Sequence, residues 1–311
     1  MYKIGVDLGG TNIAAGIVDE QGNIVLKKSV PTLSNRGVDM VVADMITLCK
    51  SLIAEKSLAA SDIKSIGIGC PGVVDPPNGT IIYATNIGFK NINIAKMISS
   101  ELNVPVHIEN DANAAALGES AFGAAKGSEH SVTITLGTGI GGGLIIGGAI
   151  YSGPFFGAGE FGHHIIRMDG EVCGCGNKGC WEAYASATAL IRETVKGAKN
   201  NPESLINRYV NSNLELVNAK TAFDAALEGD ATAKEVVDNY MEHLCVGLAN
   251  IVNLLQPEII VIGGGISGQG NTLISSIENR IKKLVLGGNL KTRFVIAKLG
   301  NDAGIIGAAM L

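Results

Sequence analysis

Three cysteines and a histidine occur together in a pattern that suits a metal ion. Cys173, Cys175 and Cys180 fall within a short segment, and His163 precedes them. Three thiolates and an imidazole are the donor set of a closed tetrahedral zinc site. Because protein atoms would fill all four positions, no place remains for an activated water, and we expect a structural Zn²⁺ ion.

Two alternatives to this zinc site stay open in the sequence. In the first, the three thiols are free or redox-active. In the second, His164 replaces His163 as the fourth ligand. Ile165 suggests a strand here, in which the side chains of neighbouring residues would point to opposite faces.

A carboxylate and a glycine turn close the first apolar segment of the chain, in the order Asp7-Leu8-Gly9-Gly10-Thr11-Asn12. Gly9 and Gly10 carry no side chains, so their backbone N–H groups can approach phosphate oxygens. Thr11 and Asn12 add side-chain donors. Asp7 suits the Mg²⁺ that accompanies ATP, held through water because Mg²⁺ keeps much of its hydration. An ordinary hairpin turn is the alternative interpretation.

A second glycine turn, Gly137-Thr138-Gly139-Ile140-Gly141, favours the phosphate interpretation. The segments 137–142 and 263–268 also match the dinucleotide-binding fingerprint by letter. However, an apolar segment typical of a strand follows the first of them, where the fingerprint requires a helix. No acidic residue ends a strand about 20 residues after the second. An NAD-dependent oxidoreductase is therefore kept only as an alternative.

The elements that position these residues follow from hydrophobic periodicity and turn signals. The pattern predicts strands at Lys3–Asp7, Ala14–Asp19, Ile24–Ser29, Ile63–Gly69, Val106–Glu109, Ser131–Leu136, Gly142–Ile146, Ala149–Ser152, Glu258–Ile262 and Arg293–Ala297. It predicts helices at Val38–Glu55, Ile92–Leu102, 111–122, Ala185–Ala198, Thr221–Glu228, Ala231–Leu254 and Gly304–Leu311.

The series of strands and turns at the head of the chain recurs from Ser131, which favours an internal duplication. Two such series predict two α/β domains that face each other across a cleft. We expect a smaller N-terminal domain at 1–115, joined by 300–311, because chain ends often lie close together. The larger C-terminal domain, 116–299, contains the cysteine cluster.

Composition narrows the classes of partner and the location. The chain has 311 residues, of which 46% are apolar and 17% charged, and its formal charge is −5. Without a cluster of Lys and Arg, it is a poor candidate for binding nucleic acid or a membrane surface. No apolar run reaches the roughly 18–20 residues of a membrane span. The N-terminus turns polar too early for a signal peptide, and clustered cysteines suit a reducing compartment, so we expect a cytoplasmic protein.

Taken together, these motifs resemble those of the ROK sugar kinases, a group of bacterial glucokinases, fructokinases, N-acetylhexosamine kinases and sugar-responsive repressors. The matching segments are the first phosphate motif at Asp7–Thr11, the catalytic segment at Glu109–Asn113, the sugar segment at Gly159–His163 and the zinc motif at Cys173–Glu182. Repressor members carry a DNA-binding segment ahead of the kinase part. Because the first phosphate strand begins at Lys3, we expect that segment to be absent.

The resemblance implies the actin-like ATPase (ribonuclease H-like) fold, in which two duplicated α/β domains close on nucleotide and sugar. It implies an ATP-dependent kinase for the 6-hydroxyl of glucose, because the Cys70–Asp75 loop and Asn86 are most similar to the glucokinase branch. Kinases for N-acetylmannosamine, N-acetylglucosamine, mannose or fructose are alternatives, and so is a non-catalytic sugar sensor. Family members are often dimers or tetramers, so a homo-oligomer is expected.

The same resemblance assigns roles to individual residues. Asp111 is the implied general base. The implied sugar-binding residues are Gly72, Asn86, Asn110, Asp111, Glu160, His163 and Glu182. The implied ATP-binding residues are Asp7, Gly9, Gly10, Thr11, Asn12, Gly137, Thr138 and Gly139, with Gly264 and Gly265 near the adenosine.

These residue types suit the chemistry of a sugar kinase. A positioned carboxylate accepts the hydroxyl proton late in phosphoryl transfer, which contributes about 10²–10⁴-fold. Glu160 and Glu182 can accept the protons of sugar hydroxyls, and their places beside His163 and Cys180 would let the metal fix both carboxylates. The simpler alternatives are that Asp111 or Asn110 only caps a helix and that the glutamates are solvated surface charges.

Overall fold

The computed structural model describes residues 1–288 and 290–311. Its strands are β1 (Tyr2–Leu8), β2 (Asn12–Val18), β3 (Ile24–Pro31), β4 (Ile63–Cys70), β5 (Val73–Asp75), β6 (Thr80–Ala84), β7 (Phe89–Ile92), β8 (Val106–Asn110), β9 (Ser131–Leu136), β10 (Ile140–Ile146), β11 (Ala149–Ile150), β12 (Ile259–Gly263) and β13 (Arg293–Ile296). Its α-helices are α1 (Val38–Glu55), α2 (Ile94–Leu102), α3 (Asp111–Ala121), α4 (Glu182–Ala185), α5 (Ala187–Asn200), α6 (Leu205–Tyr209), α7 (Thr221–Leu227), α8 (Ala231–Leu255), α9 (Asn271–Ile281) and α10 (Ala303–Ala309).

The chain divides into two compact units. The first unit contains Met1–Thr133, Gly143–Gly159 and Ala297–Leu311, and the second contains Ile134–Gly142 and Glu160–Ile296. The boundaries expected from the sequence alone stay a prediction. Within the described residues, no helix is both long and apolar enough to span a bilayer.

The first unit is built on a five-stranded sheet in the order β3-β2-β1-β4-β8. The β1 strand pairs antiparallel with β2, as β2 does with β3, whereas β1–β4 and β4–β8 are parallel pairs. Ile4, Val6, Ile66 and Ile68 are fully buried or nearly so, and they form the centre of the apolar core. Because β1, β4 and β8 are parallel, their carboxyl ends meet at one edge of the sheet.

A second five-stranded sheet has the order β11-β10-β9-β12-β13. The five strands of each sheet can be counted in chain order. In both sheets they then lie side by side as third, second, first, fourth and fifth. A shared strand order supports the duplication inferred from the two glycine turns. In both sheets the glycine turn follows the first strand of the series, β1 in one and β9 in the other.

The terminal helix α10 packs closely against the first sheet and against α3. A Cβ atom built on Gly67 of β4 would lie 1.7 Å from the carbonyl oxygen of Ala308, so only glycine fits there. On the other side of α10, a Cβ on Gly307 would lie 1.6 Å from the carbonyl oxygen of Ala114 in α3. The contacts are therefore made by the backbone itself, and α10 supports the helix that begins at Asp111.

The strands and helices expected from the sequence are present, with ends that differ by a few residues. The helix expected from Ile92 begins at Ile94, because Asn93 caps it by accepting a hydrogen bond from the Lys96 N–H group at 2.9 Å. The helix expected from Ala185 is divided at Ser186, which caps α5. The small sheet β5-β6-β7 and the helix α6 were not expected.

Candidate active site and metal cluster

Asp111 lies at the junction between β8 and α3, at the sheet edge where β1 and β4 also end. Asn110 is the N-cap of α3, and its Oδ1 atom accepts hydrogen bonds from the N–H groups of Ala112 at 2.9 Å and Asn113 at 3.2 Å. The Oδ1 atom of Asp111 also accepts from the Ala112 N–H group, at 2.8 Å. Capping is therefore mainly the task of Asn110, and the half-buried Asp111 carboxylate occupies the first helical turn.

The strand register places two carboxylates in one row across this edge. Asp7 of β1 pairs with Gly69 of β4, and Gly69 pairs with Glu109 of β8, so the backbones of Asp7 and Glu109 are separated by two strand spacings, about 10 Å. A Cβ atom on Gly69 would lie 3.5 Å from the Cα atom of Asp111. The row therefore ends directly beneath the first turn of α3.

Glu109 is a buried carboxylate that sequence reasoning missed. Its side chain is 5% exposed, and its Oε1 atom accepts hydrogen bonds from the Asn110 N–H group at 2.8 Å and from Asn113 Nδ2 at 3.1 Å. Burial raises the pKa of Glu109, and the two hydrogen bonds oppose that rise. A charged residue at the end of an apolar strand was the available signal. Glu109 fixes the two asparagines that flank Asp111.

Replacing Glu109 with Gln is expected to flatten the dependence of stability on pH. A raised pKa means that the folded state holds the proton more tightly, so this contribution to stability is present below the ordinary pKa of 4.5. It is lost as pH rises through the raised value. The free energy of unfolding should be measured with urea between about pH 4 and pH 7. The value for the variant minus the value for the wild type should increase as the pH rises. Glu101→Gln, an exposed helical position, is the control and should follow the wild type; a parallel profile for Glu109→Gln would contradict the assignment.

The loop after β4 joins this site through Gly72. Asn110 Nδ2 donates a hydrogen bond to the Gly72 carbonyl oxygen at 3.0 Å. Gly72 has φ +83°, and a Cβ there would lie 2.2 Å from the Tyr83 carbonyl oxygen in β6, so the position requires glycine. The small sheet β5-β6-β7 thus presses this loop against the β8–α3 junction.

The first glycine turn is fastened by Thr32, a fully buried residue that was not predicted. The Thr32 Oγ1 atom donates to the Gly9 carbonyl oxygen at 2.7 Å, and the Thr32 N–H group donates to the Thr11 carbonyl oxygen at 2.8 Å. Within the turn, the Gly9 N–H group donates to the Asn12 carbonyl oxygen at 3.0 Å. Gly10 is exposed, and a Cβ there would lie 3.7 Å from Asn86 Cβ. The structure therefore brings the predicted phosphate turn beside one of the predicted sugar residues.

Asp7 lies beneath this turn, at the carboxyl end of β1. Burial raises the pKa of its carboxyl group, while the positive charge of Lys27 lowers it. A Cβ on Gly304, in α10, would lie 3.2 Å from Asp7 Oδ2. A carboxylate held at this edge has the ligand chemistry that hydrated Mg²⁺ prefers.

The second glycine turn lies beside the third glycine-rich segment, in the second unit. Gly137 donates from its N–H group to the Gly139 carbonyl oxygen at 3.0 Å. A Cβ on Gly264, where φ is +80°, would lie 2.4 Å from the carbonyl oxygen of Leu136. The predicted phosphate residues Gly137, Thr138 and Gly139 are thus brought near the predicted adenosine segment. Strand β10 begins at Ile140, so this turn does not open the helix that the dinucleotide fingerprint requires.

The predicted sugar residues of the second unit surround this turn. Glu160 precedes a short 3₁₀ turn, Phe161–His163, in which the His163 N–H group donates to the Glu160 carbonyl oxygen at 3.0 Å. A Cβ on Gly162 would lie 2.3 Å from the Ile140 carbonyl oxygen. Glu182 accepts a hydrogen bond from the Ile140 N–H group at 2.8 Å. Glu160 is exposed.

The four predicted metal ligands are gathered in one cluster. One donor atom each from His163, Cys173, Cys175 and Cys180 lies within 4.8 Å of the other three. Cys173 Sγ is 3.7 Å from His163 Nδ1, and the Sγ atoms of Cys175 and Cys180 are also 3.7 Å apart. Zn–S bonds of ≈ 2.3 Å in a tetrahedron give ligand separations of about 3.8 Å. The donor set and its spacing therefore fit zinc, with His163 presenting Nδ1.

His164 lies outside this cluster. The strand suggested by Ile165 is reduced to an isolated antiparallel bridge between Ile165 and Cys180, and His163 belongs to the 3₁₀ turn Phe161–His163. His164 Nδ1 lies 2.5 Å from the Phe161 carbonyl oxygen, and its ring lies 5.3 Å from the ring of Trp181, centroid to centroid. The geometry thus favours His163 over its neighbour as the fourth ligand.

Comparison with known proteins identifies the family of the chain. Residues 3–311 match the model of the ROK family. The glucokinase of Streptomyces coelicolor is 38% identical over 315 residues, which cover 99% of this chain and 96% of that protein. The xylose repressor of Bacillus spizizenii is 30% identical over 313 residues, which cover 100% of this chain and 76% of the repressor.

A solved structure extends the comparison to the fold. The crystal structure of a ROK family glucokinase from Streptomyces griseus, in complex with glucose and AMPPNP, superposes with a TM-score of 0.83. The two sequences are 35% identical, and the match covers 100% of this chain and 98% of the other. The chain has the actin-like ATPase fold expected from the motifs. It belongs to the ROK family.

Proposed function

We propose that this chain is an ATP-dependent hexose kinase that phosphorylates the 6-hydroxyl group of glucose, with Asp111 as the general base. One observation carries the proposal. The carboxyl ends of β1 and β8 meet at one sheet edge, which places the glycine turn at 9–12 and the Asp111 carboxylate on the same side of the first unit. A phosphate-binding turn and a base at one edge are the parts that phosphoryl transfer to a hydroxyl group requires.

In this mechanism, Asp111 accepts the proton of the sugar hydroxyl as its oxygen attacks the γ-phosphorus of ATP. The bond between that phosphorus and the bridging oxygen breaks, and ADP leaves with the negative charge. Glu109 and Asn110 hold the β8–α3 junction rigid, so the Asp111 carboxylate keeps its place during the reaction. Asp7 would hold the Mg²⁺ of the nucleotide through water, and this ion would offset negative charge on the phosphates.

The glycine turns bind the nucleotide in this proposal. The donors are supplied by Gly9, Gly10, Thr11, Asn12, Gly137, Thr138 and Gly139. Gly264 and Gly265 contact the adenosine. The N–H groups of such turns form concave anion sites, which suit the oxygens of a polyphosphate.

Sugar hydroxyls would be recognised by paired donors and acceptors. The residues proposed for this role are Gly72, Asn86, Asn110, Glu160, His163 and Glu182. The metal cluster would hold structural Zn²⁺ and stabilise the segment that carries His163 and Glu182. Glucose is preferred over other hexoses because the glucokinase of Streptomyces coelicolor covers nearly the whole chain.

A non-catalytic sugar sensor is the second candidate function, since a xylose repressor is among the relatives. Retention of Asp111 and of both glycine turns favours the kinase over the sensor. We further propose a cytoplasmic location, because none of the six described cysteines forms a disulfide, as expected in a reducing compartment. We also propose a homo-oligomer, on the resemblance to family members that are often dimers or tetramers.

A sugar panel with ATP tests the proposal. ADP release should be measured with glucose, mannose, fructose, N-acetylglucosamine and N-acetylmannosamine, and the sugars ranked by kcat/KM. Glucose should rank first, by at least about tenfold, since unpaired polar groups are costly in a site built for hydroxyls. If another sugar has the highest kcat/KM, glucose is not the preferred substrate. If no sugar causes ADP release, the chain is not a sugar kinase.

A further inference from the structure

The residues that follow the metal loop hold the second glycine turn in place. We call residues 182–188 the brace. Glu182 accepts from the Ile140 N–H group at 2.8 Å, and the Ala187 N–H group donates to the Gly137 carbonyl oxygen at 2.9 Å. The Thr188 Oγ1 atom donates to the Thr138 carbonyl oxygen at 2.8 Å. Three hydrogen bonds thus connect the brace with three of the four residues 137–140.

These bonds determine where the turn's donors point. In a planar trans peptide, the C=O of one residue and the N–H of the next point in opposite directions. Fixing the carbonyl groups of Gly137 and Thr138 toward the brace therefore directs the N–H groups of Thr138 and Gly139 away from it. Two backbone donors are presented together, which is what an anion such as a phosphate group requires.

The brace begins at the metal cluster. Glu182 is two residues beyond the ligand Cys180, and its Oε1 atom lies 3.6 Å from the Sγ atom of the ligand Cys173. Its other carboxylate oxygen, Oε2, lies against the turn, since a Cβ on Gly139 would be only 2.1 Å from it. A single carboxylate thus contacts both the metal loop and the glycine turn, so a disturbance of the loop reaches the turn directly.

We propose that Thr188 is a positioning residue for nucleotide binding, and that metal occupancy sets nucleotide affinity through Glu182 and the rest of the brace. The inference rests on the proposed function only in identifying the ligand of the turn as a nucleoside triphosphate. Thr188 was not among the residues expected from the sequence. It is exposed, so changing it does not open a cavity in the core.

Thr188→Val tests the role of this hydroxyl in the zinc-loaded, full-length chain. Titration calorimetry with Mg²⁺–AMPPNP should show a Kd raised about fivefold, as expected for loss of one hydrogen bond, while the Kd for glucose stays unchanged. Thr188→Ser retains the hydroxyl and should restore wild-type nucleotide affinity. Thr194→Val, in the same helix, removes a hydroxyl that bonds only within the helix, to the Leu190 carbonyl oxygen at 2.7 Å, and should leave both Kd values unchanged.

Removal of the metal tests the second half of the proposal. Chelation should raise the nucleotide Kd of the wild type, and the further rise should be smaller in Thr188→Val, because both changes act on the same turn. An unchanged Kd in Thr188→Val, failure of Thr188→Ser to restore it, or an equal loss in Thr194→Val would overturn the proposal. The proposed function fails separately, if the wild type binds the nucleotide but transfers no phosphate to any sugar.

Discussion

Asp111→Asn is expected to lower kcat for glucose phosphorylation by about 10²–10⁴-fold, the range attributed to a positioned general base. Asparagine has nearly the same shape and can accept the hydrogen bond that Asp111 Oδ1 accepts from the Ala112 N–H group. Asn110 still caps α3, so the fold of the junction should survive. What the asparagine side chain cannot do is accept the proton of the sugar hydroxyl group. Steady-state kinetics should therefore show a large fall in kcat with KM values changed by less than about threefold.

The control for this prediction is Asp39→Asn. Asp39 is also in the first turn of a helix, α1, and it is exposed. Both substitutions remove a negative charge that stabilises a helix N-terminus, an effect of about 0.3–1 kcal/mol. Asp39→Asn should match Asp111→Asn in thermal stability within that range and match the wild type in kcat. If Asp111→Asn retained wild-type turnover, the general base would have to be another residue.

Cys175→Ser is expected to abolish binding of the structural metal and to lower kcat/KM by about 10–100-fold, the range seen when the support of a site is lost. Serine is a poor zinc ligand, and the cluster would retain only two thiolates. Loss of the metal would release the loop between His163 and Cys180, and with it the carboxylates of Glu160 and Glu182. Cys175 is exposed, so the substitution removes a ligand without opening a cavity in the core.

Metal analysis of the purified protein measures this outcome directly. The wild type should contain one zinc ion per chain and Cys175→Ser close to none. Cys49→Ala is the control, because Cys49 is a buried free thiol in α1 and belongs to the core of the first unit. It should lose stability, by the cost of a small core truncation, and keep its zinc. Absence of zinc from the wild type would show that the thiols serve another purpose.

Local sequence patterns predicted most of the fold. The strands β1, β4 and β9 are rich in Ile, Val and other apolar or β-branched residues and are followed by turns that contain glycine, and such segments carry their own structural signal. The small sheet β5-β6-β7 escaped prediction because its strands have three to five residues and little periodicity. Short strands depend on their partners rather than on their own sequence.

The metal cluster was predictable for a related reason. Its four ligands lie within one short stretch of chain, so their types and spacing carry the information. Thr32 and Thr188 could not be found in this way. Their roles depend on residues far along the chain, because Thr32 contacts a turn 23 residues away and Thr188 contacts one 50 residues away. Only tertiary structure brings such pairs together.

Helix α10 has a consequence for how the polypeptide matures during synthesis. The first unit needs it against β4 and α3, yet α10 is translated after every element of the second unit. At roughly 5–20 residues per second, the intervening stretch 160–296 occupies the ribosome for on the order of ten seconds. During this interval the nascent first unit lacks the helix that packs against α3. Prematurely terminated products would therefore lack a complete first unit.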